Sequence, residues 1–268
     1  MQLPEPLSHY FEIISFRTFS RDDLYVEWDN SYSEISPARA ELEDHFWDLY
    51  IQRYPQVNLF NGILCHLREI PWNTVPFRLK LGPISFKSHL FSIKKGKHLT
   101  GAGDLSIPGL GVSAVVVSAD KNIVFMKRSN HVAVDSGRFD VFGGHIDAEK
   151  HESLQKQGSL TPDPFVAIGR ELSEEIDLKP EQIESLQGIG MITNQITGQY
   201  ELIFLCRSAI PAEKIIARAQ RAPDRNEYSH IIRMPDNPAT LQSICLKYAK
   251  DFSPSGLGSL WLYSLLCG

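Results

Sequence analysis

The stretch that most constrains the chain is Asp163-Pro164-Phe165-Val166-Ala167-Ile168-Gly169-Arg170-Glu171-Leu172-Ser173-Glu174-Glu175-Ile176-Asp177-Leu178. Asp163 followed by Pro164 is a helix start, a capping carboxylate and then proline at the first helical position. At about 100° per residue, Phe165, Ile168, Leu172 and Ile176 form one stripe that must face a core. Glu171, Glu174 and Glu175 fill a neighbouring arc about 100° wide. Carboxylates three and four residues apart on a helix repel one another, and these lie past the first turn, where the helix dipole gives little relief. A divalent cation reverses the sign of that interaction, and hard oxygen ligands on a helix suit Mg²⁺ or Mn²⁺. The alternative is a solvated acidic face with Arg170 as an ordinary surface charge.

The surroundings are those of a globular chain. Its 268 residues, 43% of them hydrophobic, predict one large domain or two modest ones. With 27 Lys and Arg against 32 Asp and Glu, the net charge of −5 argues against a bulk electrostatic grip on nucleic acid or anionic membrane. Cys65, Cys206, Cys245 and Cys267 form no CxxC pair, so a reducing compartment is the simpler expectation. No apolar run approaches the ~18 residues of a membrane span, and the start has no basic region leading into an apolar one. The expected location is intracellular and cytoplasmic.

Alternation over residues 10–28 predicts strands, and Ser36-Pro37 opens a helix from Ala38 to Tyr54. Leu64–Leu67 and Pro76–Leu81 read as strands, and Ser85–Phe91 as the start of a short helix. The glycine-rich stretch Thr100–Gly111 marks a boundary between an N-terminal unit, residues 1–100, and a second unit, residues 107–268. In the second, Val112–Ser118 and Ile123–Met126 form a hairpin about Asp120-Lys121-Asn122. Arg138–Phe142 is a strand ending in Gly143-Gly144, and a polar stretch then leads to the carboxylate helix. Strands near Gly188–Thr193, Leu202–Cys206 and Tyr228–Met234, a helix at Pro211–Arg221 and C-terminal helices complete a mixed order that implies α/β or α+β layers.

Gly144 and Arg170-Glu171-Leu172-Ser173-Glu174-Glu175-Ile176-Asp177-Leu178, on a strand, loop and helix, resemble the Nudix box G-x5-E-x7-R-E-U-x-E-E-x-G-U, with U aliphatic. The pattern is interrupted: counted from Gly144, the box arginine would fall at position 158, and Arg170 stands 12 residues later. The early glutamate position falls on Lys150, with Glu149 or Glu152 as its stand-in, and Phe142 stands where a proline commonly precedes the glycine pair. Asp177 replaces the last glycine, a mild change because Asp tolerates the left-handed conformation. The excess, Lys150–Thr161, is polar and predicts an exposed excursion. Together with Ile123–His145 and Phe77–Lys87, the box is similar to the UDP-glucose and UDP-galactose hydrolase branch, which has an added N-terminal domain and an interrupted box.

That resemblance implies an αβα sandwich with a mixed sheet plus a smaller N-terminal α+β domain. It implies a Mg²⁺-dependent hydrolase cutting UDP-sugars to UMP and sugar 1-phosphate. A hydrolase of another nucleoside diphosphate derivative, such as ADP-ribose, and a non-catalytic nucleotide sensor are the alternatives. Glu171, Glu174 and Glu175 would carry metal or activate water, with Arg170 orienting a glutamate and Gly143 or Gly144 offering a carbonyl. Glu227, before a strand, is either a further acid or a loop residue. Arg128 at a strand end can pair with a phosphate or form a surface salt bridge. Asp140 can accept from a base N–H or sugar hydroxyl, or bond its own backbone. Phe60 and Phe86 match aromatic positions of the branch, to sandwich a base or to pack in a core. Ala133 and Ser255 are substrate positions by resemblance alone. His131, His145 and His151 read as loop residues near the box. The nucleoside is expected between the two units.

Overall fold

The computed structural model describes residues 3–55, 59–69, 77–95, 106–132, 134–148 and 161–268. Ala133, Glu149, Glu152, His151 and the insertion up to residue 160 lie outside them. The order begins β1 (Phe11–Phe19), β2 (Leu24–Trp28), α1 (Pro37–Arg53), β3 (Ile63–Glu69), β4 (Phe77–Ser85) and α2 (Phe86–Lys95). It continues β5 (Gly111–Val117), β6 (Asn122–Arg128), β7 (Phe139–Asp140), β8 (Phe142–His145), α3 (Pro164–Ile176), β9 (Ile183–Asn194) and β10 (Tyr200–Ser208). α4 (Ala212–Ala219), β11 (Tyr228–Pro235), α5 (Pro238–Lys247) and α6 (Pro254–Cys267) close it. No described helix is long and apolar enough to cross a membrane.

The main sheet is mixed, with strand order β1-β9-β10-β5-β6-β11, and a second sheet has the order β2-β4-β3. Alternate residues of a strand face opposite sides, and the central strands are apolar on both. Leu202, Phe204 and Cys206 of β10 join Ile168, Leu172 and Ile176 of α3 and Ala212 and Ile215 of α4. Ile203 and Leu205 join Leu241 of α5 and Leu257 and Leu260 of α6. The result is the expected three-layer α/β sandwich.

Two local features position the site. β5 pairs with β6 only at Val116 and Val117, and with β8 along Gly111–Ala114, so the sheet forks. The single strand expected over Arg138–Phe142 is therefore divided: β7 pairs with β6 while β8 pairs with β5. At the break, Asp140 Oδ1 accepts the Val141 N–H at 2.9 Å. α3 starts where expected, with Asp163 Oδ1 accepting from the Phe165 N–H at 2.8 Å. It stops at Asp177, which adopts φ 51° and ψ 35° in the position of the missing glycine.

The expected boundary between residues 1–100 and 107–268 is crossed by the backbone itself. β1 pairs antiparallel with β9 from Phe11↔Asn194 to Phe19↔Gly188 and forms an edge of the main sheet. Buried Phe19 stacks on Phe77 at 4.9 Å and meets Phe165 of α3 and Phe204 of β10 edge-on, at 6.1 and 6.2 Å. Side chains before and after the glycine-rich stretch thus share one core, and the β2-β4-β3 sheet joins it through the Cys65 N–H, which donates to the Ile146 carbonyl at 2.8 Å. Phe19→Ala is expected to cost about 3–5 kcal/mol and to lower a single melting transition for the whole chain. Two separate transitions, with only one shifted, would contradict the shared core.

Candidate functional site

The fork opens onto a cavity of about 690 Å³, within the ~300–1,000 Å³ of small-molecule sites. Arg128, Gly143, Gly144, Glu171 and Glu227 line one end. Leu59, Phe86, His89 and Ile93 give it an apolar and aromatic wall, and Ser113, Asn194, Thr197, Gln199 and Glu201 a polar one. Asp140 and Ser255 also line it.

The glycine pair lies against β5 on one side and α3 on the other. A Cβ on Gly143 would lie 2.1 Å from the Val112 carbonyl oxygen, and one on Gly144 would lie 2.7 Å from the Glu171 carboxylate. With no side chain there, the Gly143 N–H reaches Glu175 Oε2 at 2.8 Å. Glu175 is 1% exposed, and its other oxygen, Oε1, is buried with no hydrogen-bond partner among the described residues. Burial holds the Glu175 carboxyl well above the usual range, and Glu171 and Glu227 add to this against the pull of the Gly143 N–H. Burial also raises Glu171, opposed by Arg170.

Arg170 ties the helix to the strand. Its Nη2 donates to the His145 carbonyl at 3.1 Å and to Glu171 Oε1 at 2.6 Å, and Nε lies 3.4 Å from Glu174 Oε2. The three helical carboxylates differ in their surroundings, and Glu174 shares Arg170 with Glu171 and adds to the rise of Glu171. Glu171 and Glu175, four residues apart, lie one above the other toward β8. Glu174 is turned about 100° away from Glu175, toward Arg170, with its side chain 31% exposed. Among the described residues no three His, Cys, Asp or Glu form a ready metal cluster. The acid that joins the pair electrostatically is Glu227, half-buried at the cavity and raised by burial.

Arg128 is a buried group rather than a surface charge. Its Nη1 lies 3.3 Å from Asp140 Oδ2, and its Nε donates to the Val134 carbonyl at 3.2 Å. Burial pushes the Asp140 carboxyl up against the pull of Arg128. Phe86 packs edge-on to Trp47 at 6.2 Å while lining the cavity. Phe60 is 75% exposed and does not line it, so the expected aromatic sandwich is absent; Leu59 is the neighbour that turns inward. His131 stays in a turn, but His145 belongs to β8, 4.4 Å ring to ring from His89. Burial lowers His145 to about 4, with Arg128 and Arg170 adding to it, so both imidazoles are neutral near pH 7.

The polar wall was not visible in the sequence. Glu201 sits at the head of an apolar strand, where a lone charge reads as a solvated strand end. Ser113, Gln199 and His89 carried no spacing signal.

The residues fit a divalent cation. A buried carboxylate oxygen without a partner among the described residues, and a second, largely buried carboxylate on the next turn, are hard oxygen donors of the kind Mg²⁺ takes. Without cation, Glu175 favours its neutral form, and stability falls as pH rises from the ordinary glutamate range toward its folded value. Glu175→Gln is therefore expected to melt higher than the parent in EDTA at about pH 8, with the gap closing toward about pH 5. A gap that is absent or widens on acidification would contradict the buried, uncompensated carboxyl.

No family model matches the chain. A curated relative, the uridine diphosphate glucose pyrophosphatase NUDT22 of Bos taurus, is 25% identical over 170 residues, 59% of this chain and 58% of the relative. The chain thus matches a little over half the length of that protein. Solved structures with similarity include DR0079 of Deinococcus radiodurans, 14% identical, covering 58% of this chain and 81% of that one at a TM-score of 0.38. A bifunctional NMN adenylyltransferase/ADP ribose pyrophosphatase of Francisella tularensis, complexed with AMP and Mn, is also 14% identical, covering 67% and 46% at 0.41. With the interrupted box set on strand and helix as described, the chain is thus similar, over a little more than half its length, to a relative named as a uridine diphosphate glucose pyrophosphatase.

Proposed function

We propose that the protein is a divalent-metal-dependent hydrolase of nucleoside diphosphate sugars, cleaving UDP-glucose or UDP-galactose to UMP and sugar 1-phosphate. The observation that carries this reading is the buried Oε1 of Glu175, unpartnered among the described residues, beside Glu171 at the end of a cavity that also holds Arg128. A helix that keeps two carboxylates buried side by side is built for a cation, and a cation beside an arginine is built for phosphate oxygens.

Glu171 and Glu175, with the Gly143 or Gly144 carbonyl, would hold the ion, Mg²⁺ in the first instance. Bound there, it supplies neutralisation of the diphosphate oxygens and a bound water of lowered pKa. Arg170 keeps Glu171 oriented, and Glu174 completes the charge balance around that guanidinium. Arg128 offers a donor to the diphosphate while Asp140 fixes its position. Glu227, raised by burial and lining the cavity, would accept a proton from water. Phe86 and the apolar wall receive the base, with Ser255 lining the same cavity. Hydrolysis adds the water oxygen to one phosphorus and breaks that phosphorus's bond to the bridging oxygen, leaving two monophosphates. Intact Glu171 and Glu175 argue against a purely binding role, because a sensor gains nothing from that repulsion.

The test is a panel of UDP-glucose, UDP-galactose, UDP-GlcNAc, ADP-ribose and coenzyme A with Mg²⁺, products separated by chromatography. UDP-sugars are expected to give UMP and sugar 1-phosphate, EDTA to stop the reaction, and Glu175→Gln to slow it by orders of magnitude. Parent-like turnover of that variant at saturating Mg²⁺ would contradict the metal assignment. Cleavage of ADP-ribose alone would move the substrate, and binding without cleavage would return a sensor.

A further inference from the structure

One buried acid in the cavity has no part in the chemistry above. Glu201 lies on β10, between β5 and β9, and is 7% exposed. Its carboxyl lies across Gly111, its partner in the parallel register, where a Cβ would sit 1.9 Å from Oε2. The strand pairing thus leaves a slot shaped for this carboxyl. Ser113 Oγ donates to Oε1 at 2.5 Å, and Gln199 Nε2 lies 3.3 Å from Oε2 and 3.3 Å from His145 Nε2. Burial pushes Glu201 up to about 8, so near pH 7 it is largely an uncharged group able both to donate and to accept. A buried acid with so small a set of partners is costly to keep in a strand whose next residues are all apolar.

The cavity's other walls are already suited to other parts of a nucleotide sugar. The metal end would take the diphosphate, and Phe86 with Leu59 and Ile93 offers apolar surface to a base. Ser113, Glu201, Gln199, Asn194 and Thr197 offer hydroxyl, carboxyl and amide groups to the cavity, which suit a ring of vicinal hydroxyls. We propose that Glu201, set between Ser113 and Gln199, is a specificity-determining residue that holds the hydroxyl-bearing sugar beyond the diphosphate. The assignment rests on the nucleotide-sugar reading above, and a hydroxyl-bearing ring is also present in the ribose, so the test separates the two.

Calorimetric binding of UDP-glucose and of UDP in EDTA is compared for the parent, Glu201→Ala, Glu201→Gln and Gln199→Ala, alongside steady-state kinetics with Mg²⁺. The parent is expected to prefer UDP-glucose by about tenfold or more, the scale of one lost buried hydrogen-bond set. Glu201→Ala should erase that preference, leaving UDP affinity within about twofold, and Glu201→Gln should restore part of it. KM for UDP-glucose should rise about tenfold with kcat little changed. Gln199→Ala leaves the buried carboxyl in place, so it keeps the test decisive if Glu201→Ala does not fold. An undiminished preference in both alanine variants would overturn the assignment. So would equal weakening of UDP and UDP-glucose, which would point to the ribose, or a fall in kcat alone. If the parent cleaves a different nucleoside diphosphate sugar, the nucleotide reading fails while the same comparison with that compound still decides the role of Glu201. A parent that prefers no sugar-bearing ligand over its nucleoside diphosphate overturns the role directly.

Discussion

The hydrogen bond from the Gly143 N–H to Glu175 Oε2 is the contact around which the site is arranged. It lies where a Cβ on Gly143 would meet the Val112 carbonyl of β5 and one on Gly144 would meet the Glu171 carboxylate of α3. It uses one carboxylate oxygen and leaves the other, Oε1, buried and unpartnered among the described residues. A carboxylate desolvated in this way is destabilising unless it is protonated or an opposite charge arrives. The fold therefore holds an unmet electrostatic demand at one place, beside Glu171 and facing the cavity. Arg170 does not meet it: the guanidinium is spent on Glu171, Glu174 and the His145 carbonyl, which hold the helix to the strand.

Packing keeps that contact from relaxing. The Phe165 ring of the first turn of α3 is locked between Phe19 and Phe204, and Asp163 caps the same turn while also pairing with Arg21. Both Phe19 and Arg21 come from the N-terminal region, so β1 serves as an edge of the sheet and as a brace for the carboxylate helix. The far end of α3 is held by Arg218 of α4, whose Nε donates to the Asp177 carbonyl at 2.9 Å. α2 supplies the apolar wall, with Phe86, His89 and Ile93 turned to the cavity. The N-terminal residues thus contribute both to the scaffold and to the wall assigned to the base.

Local pattern made the carboxylate helix legible: a cap, a 3.6-residue apolar stripe and a charged arc all agree over residues 163–178. The β5–β6 hairpin was legible for the same reason, with alternation on both sides of a turn at Lys121, whose φ is 56°. The pairing of β1 with β9 was not, because strands more than 160 residues apart in sequence carry no local mark of their partner. The fork that splits residues 138–145 is likewise a property of the sheet, not of those residues. Among site residues, Glu171, Glu175, Gly143, Arg128 and Asp140 could be read from their places around the box. Phe60 failed because a lone aromatic does not announce which way its chain turns. Glu201, Gln199 and His89 escaped because each is an isolated polar residue whose neighbours in space come from other strands and helices.

The central claim is that Glu175 and Glu171 wait for a cation, and the most direct measurement is the position of Mn²⁺ in crystals soaked with it, located by anomalous scattering. The account predicts an ion bound to Glu171 and Glu175 against the Gly143–Gly144 backbone, with Glu175 Oε1 now ligated. Crystals in which Mn²⁺ binds only elsewhere, leaving Glu175 Oε1 buried and without a ligand at saturating metal, would contradict it.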